Sequence, residues 1–85
     1  MAGYKEYVVP VGNINLVMAA AKKGIVGCGL LDIAAFDKFG LAAAKVSGVS
    51  SIDDLLKAEI KAVNNKAQDL GIKAGMTGKE ALELM

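Results

Sequence analysis

Hydrophobic positions alternate between opposite faces over the first third of the chain and recur at three-to-four spacing over the last, which predicts strands first and helices after. Tyr4 to Val11 is aromatic and β-branched with Pro10 near its end, the composition of an edge strand. Asn13 opens a second strand, Ile14 to Ala21, whose two faces are both apolar: Ile14, Leu16, Met18 and Ala20 share one, and Val17, Ala19 and Ala21 the other. Lys22-Lys23-Gly24 reads as a short hairpin loop, with Gly24 free to take positive φ. A third strand is expected from Ile25 to Leu31. Within it Gly27 and Gly29 fall on one face and leave a strip without side chains, which a backbone, helix or ligand can approach closely.

Asp32 suits the N-cap of a short helix, Ile33 to Phe39, ended by Gly40. Leu41 to Ser47 is rich in alanine yet short and bounded by glycines, and is assigned as a strand. Ser51 and Asp54 form a variant capping box. After it Ile52, Leu55, Leu56, Ile60, Val63, Ala67 and Leu70 keep helical spacing, which predicts one amphipathic helix over 52–70 with Asn64-Asn65 as its weak point. Gly71 and Ile72 fit a Schellman stop. Thr77 and Glu80 make a second capping box that starts a final helix, Gly78 to Leu84. The fold class expected is α+β: a two-layer sandwich, its mainly antiparallel sheet drawn from the N-terminal half and covered by C-terminal helices.

Composition turns this plan into an assembly. The chain has 85 residues, 54% of them hydrophobic, with one cysteine and no histidine. It has the length of one domain, with residues 1–31 as a strand-rich oligomerisation region and 51–85 as a helical layer. A chain this short gains little net stability from its own core, and neither an internal disulfide nor a histidine metal clip is available to staple it. Self-association is the remaining route, and the second strand, through Val17, Ala19 and Ala21, is the expected interface. The partner expected is therefore a second copy of this chain.

The charges nearly balance at +1 and all ten basic residues are lysines. Nucleic-acid binding, which favours clustered arginine and stacking aromatics, is disfavoured. The uncharged run Tyr7 to Ala21 is too short and too interrupted to span a membrane. As an export signal it lacks a positive n-region, since Lys5 and Glu6 cancel. The expected location is the cytoplasm.

Three features could carry chemistry. Cys28 is the one candidate nucleophile, a weak catalytic candidate without a histidine to serve as base; a small buried thiol explains it as well. Gly27, Cys28, Gly29 and Asp32 are the candidate ligand-binding residues, at a subunit interface where oligomers commonly place pockets for small molecules. The turn Gly75-Met76-Thr77-Gly78-Lys79 could hold an anion, but its capping box accounts for it. The carboxylates are dispersed, so neither a metal nor a cofactor is expected.

The segments Gly27-Cys28-Gly29-Leu30-Leu31-Asp32, Phe39-Gly40 with Ala42 to Ala44, Ser47-Gly48-Val49, and Leu70-Gly71-Ile72 through Gly75-Met76-Thr77-Gly78-Lys79-Glu80-Ala81-Leu82 together resemble the YunC-like family, an uncharacterised group of small bacterial and archaeal proteins. The resemblance implies a two-layer α/β sandwich with tetramer-forming strands at the N-terminus. It implies no activity and assigns no catalytic residue.

Overall fold

The computed structural model describes residues 4–29 and 31–85. Its first two strands are the expected ones, β1 (Tyr4–Val11) and β2 (Ile14–Ala21), paired antiparallel from Tyr4 opposite Ala21 to Val11 opposite Ile14. Only Gly12 and Asn13 join them. Gly12 has φ 58° and no non-glycine residue has positive φ among those described, so the turn has the II′ pattern with glycine at its first central position. A two-residue loop fixes register, and register fixes which side chains share a face. β1 is an edge strand, where Pro10 is tolerated.

β3 (Gly24–Gly27) is shorter than the expected 25–31 strand, and Leu30 lies outside the described residues. Gly24 does not turn the chain with positive φ. It lies within the strand, where an added β-carbon would collide with the Ala42 carbonyl oxygen of β4 (Ala42–Lys45). The bare strip is not formed either. Leu31 folds back over Gly27, 2.8 Å from where a β-carbon would sit, and Gly29 lies beyond the strand. Between β3 and β4 runs α1 (Ile33–Asp37), two residues shorter than expected, and Asp32 caps it without a side-chain hydrogen bond. β3 and β4 run parallel, with Gly24 opposite Ala42 and Gly27 opposite Lys45. The other pairings in the five-stranded sheet, whose order follows the chain, are antiparallel.

The single helix over 52–70 is corrected to helix, strand, helix: α2 (Ile52–Lys57), β5 (Ala62–Val63) and α3 (Asn65–Asp69). The cause is Asn64, which is 5% exposed. Its Oδ1 accepts from the N–H groups of Ala67 and Ala43, each at 2.9 Å, and its Nδ2 donates to the carbonyls of Leu41 at 3.0 Å and Ile33 at 3.2 Å. One amide thus caps α3 and fastens it to β4, which outweighs the bonds of a continuous helix. The free edge of β4 is satisfied at the same time, because Lys61 N–H donates to Lys45 O and Asn64 N–H to Ala43 O. Leu55, Ile60 and Ala67 are buried as helical spacing requires, although they no longer belong to one helix.

The C-terminal signals hold. Gly71 (φ 88°) follows α3, with Ile72 N–H on Ala67 O and Gly71 N–H on Gln68 O, the two bonds of a Schellman stop. α4 (Gly78–Leu84) begins with a full capping box: Glu80 N–H donates to Thr77 Oγ1 at 3.2 Å and Thr77 N–H to Glu80 Oε1 at 2.9 Å. The core joins Val17, Ala19, Val26 and Ala44 of the sheet to Leu55 of α2 and Ala81 and Leu82 of α4. The architecture is α+β, a mainly antiparallel sheet with α2 and α4 over one face.

Candidate functional site

The core settles which face of β2 is open. Val17 and Ala19 have no exposed surface and Ala21 packs against the same cluster, so all three expected interface residues serve the chain's own interior. With both faces of β2 apolar, alternation alone leaves the choice open; α2 and α4 make it by covering the odd-numbered side. The opposite face carries Tyr7, Val9 and Val11 of β1 with Ile14, Leu16 and Met18 of β2, placed together by the pairings Tyr7 with Met18, Val9 with Leu16 and Val11 with Ile14. Tyr7, Val9, Val11 and Ile14 are 44% to 49% exposed. Val8, opposite the buried Val17, faces the core side and is nevertheless 46% exposed, since it lies on the edge strand. The hairpin therefore carries exposed apolar side chains on both faces, Val8 on one and Tyr7, Val9, Val11 and Ile14 on the other.

A second feature lies at the carboxyl ends of β3 and β4. After β3 the chain crosses by Leu31 and α1 on the open-face side of the sheet, where Phe36 borders a pocket with Ile25 and Ala20. After β4 it crosses to the core side, where α2 places Leu55. Adjacent parallel strands whose exits diverge in this way leave a crevice between them. Here it has a volume of about 240 Å³ and is lined by Cys28 and Gly29 from one exit, Ser47, Gly48 and Val49 from the other, and Ile14 and Asn15 from the start of β2. Asn15 is held by donation from its Nδ2 to Ser50 O at 3.1 Å.

Of the expected ligand-binding residues, Cys28 and Gly29 meet in this crevice. Gly27 is closed off by Leu31, and Asp32 is an exposed residue before α1 that does not line it. Cys28 is a buried free thiol, 8% exposed, whose N–H donates to Val17 O at 3.0 Å. It also borders a smaller pocket of about 100 Å³ with Leu16, Met18, Gly27 and Leu31. No lining residue of either pocket is a base or a cation. Among the described residues no group of histidine, cysteine and carboxylate side chains could hold a metal ion, and no helix is long and apolar enough to cross a membrane. Ser47 to Val49 escape a reading of the sequence as sites because only the parallel register of β3 and β4 brings them beside Cys28, and Asn15 because the antiparallel pairing of β2 with β3 does.

Residues 27–85 match the family model described as a domain of unknown function, DUF1805. An uncharacterised protein of Bacillus subtilis, YunC, is 40% identical, over 87% of this chain and 77% of that protein. The crystal structure of a protein of unknown function from Thermoplasma acidophilum, TA1206, superposes with a TM-score of 0.86 at 30% identity, covering 94% of this chain and 78% of that one.

Proposed function

The chain belongs to the DUF1805 family, and we propose that it acts as a homo-oligomeric intracellular binding module whose assembly surface is the open face and tip of the β1–β2 hairpin. One observation carries this reading: Tyr7, Val8, Val9, Val11 and Ile14 each keep 44% or more of their surface exposed, in one contiguous hairpin. Fully burying such a side chain is worth about 1.5 to 3 kcal/mol, and roughly half of that is still to be gained at each, so covering the cluster favours an association that a mixed polar surface would not. A hairpin with exposed apolar side chains on two faces, Val8 on one and the other four on the opposite one, has two surfaces to cover. A dimer of dimers supplies both with closed symmetry, which supports the tetramer that the family resemblance implies. Sedimentation velocity at micromolar concentration tests this: a discrete oligomer is expected, and a stable monomer refutes it.

A second reading, small-molecule binding, is supported by the crevice at the ends of β3 and β4. It lies beside the hairpin, since Ile14 belongs to both. A thiol-dependent reaction at Cys28 has less support, because the lining offers no side chain to take the thiol proton.

A further inference from the structure

We propose that the crevice between the Cys28-Gly29 and Ser47-Gly48-Val49 turns is a site for a small oxyanion, the carboxylate or phosphate group of a metabolite with few heavy atoms; this rests on the small-molecule reading above. Its position is the one where open sheets with parallel strands bind ligands, outside the carboxyl ends of neighbours whose connections leave to opposite faces.

The lining carries neither a carboxylate to repel an anion nor a lysine to attract one, so its hydrogen-bond donors decide what it holds. Among the described residues, no acceptor meets the N–H groups of Gly29, Ser47, Gly48 or Val49. Gly48 has φ 70°, a left-handed conformation in which a side chain would be strained, so bare backbone forms this wall of the crevice. The exposed Ser47 adds a hydroxyl donor. Donors without a competing carboxylate fit a ligand that only accepts. A volume of about 240 Å³ falls below the range of drug-sized pockets, which restricts the ligand to a small one.

Gly29 gives the test its control. A β-carbon there would lie 3.7 Å from Val46 O and 3.9 Å from Ser47 Cβ, ordinary contacts, so Gly29→Ala is accommodated; Gly29→Val adds two methyl groups at the crevice mouth, and its amide spectrum outside the crevice reports whether it is folded. The experiment is a titration of the ¹⁵N-labelled full chain with sodium acetate, sodium phosphate and neutral acetamide at constant ionic strength, read by amide chemical shifts. The expected result is a common saturating shift of Gly29, Ser47, Gly48 and Val49 with one or both anions and none with acetamide. Gly29→Val should abolish it, and Ser47→Ala should weaken it about tenfold by removing one hydrogen bond to a charged group. The anion that saturates at lower concentration identifies the head group. Equal shifts with acetamide overturn the oxyanion assignment and leave the crevice as a binding site. No saturating shift at these amides with any probe, or shifts unchanged in Gly29→Val, overturns the site itself.

Discussion

Asn64 and Ala43 are bonded in both directions: the N–H of Asn64 donates to Ala43 O at 3.0 Å, and the N–H of Ala43 donates to Asn64 Oδ1 at 2.9 Å. The pair locks the α3 cap to the middle of β4 inside a buried region. Asn64→Ala removes both acceptances by Oδ1 and strands the Ala43 N–H away from water. The expected cost is about 2 to 4 kcal/mol, combining a lost cap with an unsatisfied buried donor. Thermal unfolding by circular dichroism checks it. Asn64→Asp keeps the acceptor but loses the donations to Leu41 and Ile33, and should destabilise as well.

Two glycines should respond unequally to the same change. Gly24→Ala drives a methyl group into the Ala42 backbone, and β3 and β4 must separate to admit it. A loss of about 3 kcal/mol or more is expected, because the obstacle is a carbonyl rather than a flexible side chain. Gly29→Ala meets only ordinary contacts and should change the urea midpoint little.

The hairpin should separate assembly from folding. Val9→Lys or Ile14→Lys places a charge on the open face, and should yield a folded chain of lower sedimentation coefficient. Val17→Lys places the charge in the core beside Leu55 and should leave the chain unfolded or insoluble. If Val9→Lys and Ile14→Lys both leave the sedimentation coefficient unchanged, assembly does not use this face.

The thiol of Cys28 should be slow to alkylate in the native protein and should react fully in urea, with a rate difference of about tenfold or more, since only 8% of the residue is exposed. Rapid native labelling followed through mass spectrometry would revive a thiol-based activity.

Local signals in the sequence sufficed wherever the structure is decided locally. The Val11–Ile14 turn, the Gly71-Ile72 stop and the Thr77–Glu80 box each stand where the spacing of residues puts them. What escaped depends on contacts distant in sequence. The burial of Leu55, Ile60 and Ala67 satisfies a helical period and a helix-strand-helix path equally, and only the reach of Asn64 to β4 distinguishes them. The open face of β2 could not be chosen by parity, because Met18 and Val17 are both apolar. Half of the crevice was legible at Cys28 and Gly29. Its other wall, Ser47 to Val49, needed the register that sets Gly27 opposite Lys45.

The sheet's two edges are very unequal: β1 offers eight residues, whereas β5 has two. A fibril grows only if each unit presents two mating ends, one to receive and one to be received. Among the described residues the sheet has a single backbone edge long enough to template another strand. Contact through it must join β1 to β1 around a two-fold axis, which consumes both edges and stops growth at a finite particle. A chain more than half hydrophobic can thus leave an apolar strand uncovered without becoming a seed for endless aggregation.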